Sequence, residues 1–210
     1  MTGRRSVTGE RSSSSGRGPR AGRGFFDRPA ARVARALLGA TLTVRAGRAS
    51  RSVRIVETEA YGRDDPASHA YRGMTRRNRS MFAPPGTLYV YRIHQVVCAN
   101  LVARRGEAVL LRAGTADGEE PVCASGPGRL CRFLGIVLSD DGTDTTDGNR
   151  VEVRLPHRRT GPVRVGPRVG IRKAVDRPMR FALANEPAVS RPRPGPVHDG
   201  RTDYLSFRQS

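Results

Sequence analysis

"SVRIVETEA" (52–60) and the residues directly behind it, "YGRDDPASHAYRG" (61–73), set the reading of this chain. The first stretch alternates and is rich in β-branched residues, as a strand does, and a period of two puts Val53, Ile55, Glu57 and Glu59 on one face. An apolar face that ends in two carboxylates is uncommon. Tyr61 follows at once, and a short acidic loop leads to His69 and Tyr71. A glutamate at a strand end can act as a general base where a cleft partly buries it. In an arginine-rich chain it can equally be a surface ion-pair partner, and a single histidine is more often structural than functional. The residues alone leave both readings open.

Working outward, "FFDRPAARVARALLGATLTV" (25–44) predicts a helix with Asp27 as N-cap, Pro29 in the first turn, a stripe of Val33, Ala36 and Leu37, and Gly39 as its end. "GTLYVYRIHQVVCANLV" (86–102) predicts two strands around a tight turn near residues 93–95. "EAVLLRAG" (107–114) is a further strand and carries Arg112, and "GPGRLCRFLGI" (126–136) is helical. "RVEVRLP" (150–156), "GPVRVG" (161–166) and "RVGIRKAV" (168–175) are strand candidates. Few helices and many irregular strands predict a single α+β domain: a curved mixed or antiparallel sheet, peripheral helices and a protruding β-hairpin. "DDGTDTTDGN" (140–149) lacks the ligand spacing of a calcium loop and is expected to be a surface turn.

A chain of 210 residues suits one such domain. Residues 1–23 hold six arginines and almost nothing apolar, which predicts a disordered basic arm. The domain is expected over 24–191, with a loosely ordered C-terminal tail at 192–210. The formal net charge is +19, and because Lys173 is the only lysine, 37 of the 38 basic residues are arginine. Such a charge, carried on guanidinium forks, points to a polyanion, most simply nucleic acid. No apolar run approaches the ~20 residues of a membrane span. Cys98, Cys123 and Cys131 form no CxxC pair and are an odd number, which predicts buried thiols in a reducing compartment. The four histidines lack metal-ligand spacing, so neither metal nor cofactor is expected. Tyr61, Tyr71, Tyr89 and Tyr91 crowd into some thirty residues, and beside carboxylates and basic charge they suggest a stacking pocket for a planar base.

The segments "VETEAY", "DPASHAYRG", "RRNRSMF", "PPGTLYVY", "CANLV", "AVLLRAG", "SGPGRLC" and "RVGIRKAVD" stand in the order found in the alkyladenine (3-methyladenine) DNA glycosylase family, which this chain resembles from Phe25 to Arg191. The resemblance implies a monofunctional glycosylase that flips alkylated or deaminated purines out of duplex DNA. Hydrolysis of the N-glycosidic bond by an activated water then starts base excision repair. It implies Glu59 as general base, with Arg112 and the Val169 carbonyl helping to hold the water. Tyr61, His69 and Tyr91 match the residues that stack on and hydrogen-bond the flipped base, and Asn100 matches the asparagine that crowds the guanine amine. The hairpin would enter the minor groove with His94 as wedge. The resemblance further implies a monomer acting on double-stranded DNA in the cytoplasm, at the nucleoid, without lyase activity and away from membranes. The alternative is a non-catalytic binder of damaged DNA on the same fold. Two departures stand out: the loop from Tyr61 to His69 and the hairpin tip are each one residue shorter than the family pattern. At the tip, His94–Gln95 replaces the usual tyrosine–glycine.

Overall fold

In the computed structural model, which describes residues 18–157 and 160–198, the run at 52–60 lies within strand β2 (Ala49–Tyr61). Helices α1 (Arg23–Phe26) and α2 (Ala30–Ala36) and strand β1 (Thr41–Ala46) precede it. After it come β3 (Leu88–Ile93), β4 (Val96–Val102), β5 (Ala108–Thr115), helix α3 (Pro127–Leu134), β6 (Val151–Arg154), β7 (Val163–Gly166), β8 (Arg180–Leu183) and β9 (Val197–His198). Among the described residues these strands form one nine-stranded sheet in the order β3-β4-β5-β2-β8-β7-β9, with β1 pairing both β2 and β6. All the pairings are antiparallel. The architecture is the α+β domain that the sequence predicts.

β2 is the spine. Its first half pairs with β1, and its second half lies between β5 and β8. The regular alternation breaks there: the β5 register shifts between Ile55 and Glu57 and again between Glu57 and Thr58. A bulge adds one residue to a strand and turns the following side chains to the other face. Val53, Ile55 and Val56 all lie in the main core, and Thr58 Oγ1 donates to the Ala34 carbonyl on α2 at 2.9 Å. Glu57 and Glu59 point the other way, to Arg112. The expected common face of Val53, Ile55, Glu57 and Glu59 is therefore corrected. The irregularity gives the apolar residues to the core and the carboxylates to the opposite side.

The main core unites α2, α3 and one face of the sheet, through residues such as Val33, Leu37, Leu101, Leu111 and Leu130. On the opposite face a smaller cluster of Ala70, Met81, Tyr89, Val102 and Ala108 gathers Tyr61, Phe82 and Tyr91. The segment that follows β2, with little regular structure, supplies Ala70 and Met81 to it.

Local signals hold at some places and fail at others. α3 starts with Pro127 in its first turn and ends at Gly135, whose φ of +69° suits the left-handed cap. Gly114 has Val53 where a Cβ would sit, 2.7 Å away, which keeps β5 tight against β2. Asp27 caps no N-terminus: it closes α1, a turn the sequence reading lacked, and Pro29 occupies the N-cap of α2. "RVGIRKAV" is a loop, and the strand lies further on, at β8. Part of the segment assigned to the arm is packed. Ala21 is buried and its N–H donates to the Val153 carbonyl at 2.8 Å, while Arg20 bridges to Arg154. In the segment assigned to the tail, β9 pairs with β7. The rest of both segments, residues 1–17 and 199–210, lies outside the described residues. Among those described no helix is long and apolar enough to cross a membrane.

Candidate active site

Antiparallel pairing sets side chains of neighbouring strands in rows on one face. One such row runs across five strands: Tyr89 on β3, Asn100 on β4, Leu110 on β5, Glu59 on β2 and Arg180 on β8. Arg112, two residues beyond Leu110, joins it on the same face. Glu59 is fully buried. Its Oε1 accepts from the Val169 N–H at 2.8 Å and faces Arg112 Nη1 at 3.3 Å, and its Oε2 accepts from the Tyr61 hydroxyl at 2.9 Å. A carboxylate has about four lone-pair sites, so two hydrogen bonds and one ion-pair contact leave Glu59 with at least one acceptor site unused.

Glu57, one turn of the pleat earlier, is also fully buried. Oε1 accepts from Arg112 Nε at 2.9 Å, Arg180 Nε at 2.7 Å and Ser190 Oγ at 2.9 Å, and Oε2 accepts from the Ser190 N–H at 2.7 Å. Two carboxylates and two guanidiniums thus balance in a buried cluster. Removing one member of such a set costs about 3–5 kcal/mol, because a buried charge is left unpaired. Burial opposes the Arg112 charge, yet Glu59 and Glu57 outweigh it and raise its pKa further.

Beside this cluster stand the aromatic side chains. The Arg168 guanidinium lies 4.6 Å from the centre of the Tyr61 ring. It is held there by an ion pair with Asp65 and by a bond to the Ala60 carbonyl at 3.0 Å. His69 packs edge-on against Tyr91 with ring centres 4.6 Å apart, and its Nδ1 shares a hydrogen bond of 2.9 Å with the Tyr89 hydroxyl. Burial raises the pKa of all three phenols, Tyr61 with the adjoining Glu59 carboxylate as a further cause, so each keeps its proton. Burial of the His69 ring lowers its pKa and favours the neutral imidazole. His69, Tyr89 and Tyr91 form one wall of a cleft of about 610 Å³, and Arg72, Arg77, Arg92 and Lys173 also line it. Asn78 also lines the cleft, its amide donating to the carbonyls of His69 at 2.8 Å and Gly73 at 3.1 Å.

The chain that builds this arrangement, a buried carboxylate beside aromatic rings and cations, is similar to known proteins over most of its length. A family model described as methylpurine-DNA glycosylase matches residues 24–187. The chain belongs to the methylpurine-DNA glycosylase family. A protein of Synechococcus elongatus is 44% identical over 173 residues, covering 80% of this chain and 89% of its own length. One from Agrobacterium fabrum is 44% identical over 188 residues, covering 82% and 93%, and one from Frankia casuarinae 44% over 198 residues, covering 81% and 92%. All three are named as candidate 3-methyladenine DNA glycosylases.

Within this family member, Arg112, Val169 and Tyr61 each meet Glu59, and His69 and Tyr91 adjoin one another. Val169 meets Glu59 through its N–H, whereas the resemblance implied a role for its carbonyl. Asn100 is buried, with its amide donating to the Tyr89 carbonyl at 3.1 Å. His94 stands apart and exposed, at the tip where Ile93 pairs with Val96, with a φ of +52°. Sequence reasoning overlooked Arg180, Ser190, Arg168 and Asp65. Glu57 carried a signal, being two residues from Glu59, but its partners come from β8 and the turn behind it, which no local pattern announced. Cys98 and Cys131 are buried, and burial pushes the Cys131 thiol up to about 12. Cys123 is exposed, which corrects the expectation of three buried thiols. Among the described residues no three His, Cys, Asp or Glu side chains gather as a metal site would.

Proposed function

We propose that the protein is a monofunctional DNA glycosylase, which flips alkylated or deaminated purines out of duplex DNA and hydrolyses their N-glycosidic bond. The observation that carries this reading is the Glu59 carboxylate, buried and held by two hydrogen bonds and the Arg112 ion pair, with a lone pair left to accept from a water. Glycosidic cleavage passes through an oxocarbenium-like state, so a carboxylate beside the sugar both takes the water's proton and offsets the developing charge. Arg112 and Val169 keep that carboxylate in place. Tyr61, His69 and Tyr91 hold the flipped base, and aromatic faces favour the cationic purines that alkylation produces. A neutral His69 both donates and accepts, which lets it bond a base edge. Asn100 excludes normal guanine by crowding its exocyclic amine. Flipping costs a few kcal/mol, least for damaged or mismatched bases, so selection begins before the pocket fills.

The hairpin of β3 and β4 would enter the minor groove with His94 as wedge, and the basic surface would follow the phosphates. The protein would act as a cytoplasmic monomer at the nucleoid and start base excision repair. Hydrolysis by a Glu59-activated water needs no amine, so no lyase step is expected, although Lys173 lines the cleft.

The test is excision from a panel of duplexes, each carrying one 3-methyladenine, 7-methylguanine, hypoxanthine or ethenoadenine. Wild type releases a free base from at least one, and Glu59→Gln loses at least 10²-fold in rate, on the order of general-base catalysis, while still binding that duplex. A protein that binds lesions and leaves them intact would be the non-catalytic binder instead. Borohydride trapping of a covalent complex with abasic DNA would overturn the monofunctional assignment.

A further inference from the structure

We infer that Glu57, supported by Arg180 and Ser190, is a positioning residue that fixes the Arg112 guanidinium so that one nitrogen alone faces Glu59. The inference rests on the reading of Glu59 as the base. Each Arg112 nitrogen has its own partner: Nε donates to Glu57 Oε1 at 2.9 Å, Nη2 to Ser190 Oγ at 3.0 Å, and Nη1 lies 3.3 Å from Glu59 Oε1. A guanidinium is a rigid plane, so holding two nitrogens fixes the direction of the third.

The alternative available to Arg112 shows why this matters. Arginine and a carboxylate prefer two parallel hydrogen bonds. Released from Glu57, Arg112 would turn and clamp both Glu59 oxygens, occupying the lone pair that a water needs. Glu57 prevents this by holding Nε, and Arg180 balances the Glu57 charge from the other side through its own Nε at 2.7 Å. Arg180 is fastened in turn, with Nη2 donating to the Ser190 carbonyl at 2.8 Å. Ser190 Oγ completes the set, donating to Glu57 and accepting from Arg112 and from Arg180 at 3.3 Å. Both Glu57 oxygens are taken up by Arg112, Arg180 and Ser190, so Glu57 acts through Arg112 and not on substrate.

The experiment measures single-turnover excision and equilibrium binding on a duplex with one hypoxanthine, for wild type, Glu57→Gln, Arg112→Ala and the double variant, each shown to be folded by thermal melting. Glu57→Gln removes the charge that pairs with both guanidiniums and sets an amide donor against either the two Nε groups or the Ser190 N–H, so the hold on Arg112 weakens in either orientation. The expected result is a rate loss on the order of 10²-fold, as for a misplaced reacting group, with Kd within about twofold of wild type. In the Arg112→Ala background, Glu57→Gln should add less than about threefold, because residues acting through one contact are not additive. A wild-type rate in folded Glu57→Gln, or losses that multiply in the double variant, would overturn the role. Should Glu57→Gln not fold, Ser190→Ala decides: it removes the anchor of Nη2 and leaves the backbone bond to Glu57. A slower rate at unchanged Kd supports the positioning role, and a wild-type rate overturns it. Glu59→Gln separates the two readings. If it excises normally, the assignment of the base falls and takes Glu57 with it, whereas an inactive Glu59→Gln beside a normal Glu57→Gln removes only the positioning role.

Discussion

His69 rests against Tyr91 and Tyr89, and its partial burial gives it a pH signature. Its pKa in the folded protein lies below the ordinary 6.5, because burial disfavours the charged ring. The unfolded chain therefore binds the proton more readily. Stability from this group is fully present above about pH 6.5 and is lost as pH falls below it. The ring is open to the cleft on one side, so the effect is modest. His69→Gln should lose less stability than wild type between pH 7.5 and 5.5, read as the shift in urea midpoint of each protein. Equal shifts would mean that His69 does not contribute. Excision should decline over the same window for a further reason, since the imidazolium can no longer accept a hydrogen bond from a base.

The hairpin of β3 and β4 is an element with two separate jobs. Its base, at Tyr89 and Tyr91, lines the cleft, and its tip, at His94 and Gln95, belongs to solvent. A two-residue turn needs positive φ, and His94 adopts +52°, a conformation histidine tolerates better than most side chains. Next to it the exposed Ile93 and Val96 form a cross-strand pair. If His94 fills the gap left by a flipped nucleotide, His94→Ala should weaken binding by about 1–3 kcal/mol, the worth of one stacked ring, or roughly 5- to 150-fold in Kd. The loss should be larger for a lesion in a stable pair than for one in a mismatch, because the second flips at lower cost. His94→Tyr should bind at least as well as wild type. Equal Kd for wild type and His94→Ala on both duplexes would leave His94 as a turn residue.

For the whole molecule the governing quantity is a net charge of +19. Four of its arginines, Arg4, Arg5, Arg11 and Arg17, precede the packed start of the domain at Gly18. Each phosphate a protein neutralises adds about 0.9 to the slope of log K against log salt. Deleting residues 1–17 should therefore flatten that slope by up to about 3.6, if all four reach phosphates, and leave the order of lesion preference unchanged. The deletion spares Ala21 and its bond to β6, so the fold is kept. An unchanged slope would show that this segment does not touch DNA.

Much of this protein was settled by residues close together in the chain. The β-branched alternation made β2 a strand, Pro127 and Gly135 bounded α3, and the run around Ile93 to Val96 marked a hairpin, because propensity and turn chemistry act over a few neighbours. The ordered motifs named the family and singled out Glu59, Arg112, Tyr61, His69 and Tyr91. What the sequence could not decide depended on distant partners. The bulge that sends Glu57 and Glu59 away from Val53 and Ile55 is a matter of register against β5, and register is fixed by packing on both faces of the sheet. The packed segment at 18–23 gains its order from β6, far along the chain, and Asp27 lost its expected cap to an extra turn. The cluster of Glu57, Glu59, Arg112, Arg180 and Ser190 joins residues from β2, β5, β8 and the segment after β8. Its charges balance only once folding has stripped away the water that would otherwise satisfy each of them separately.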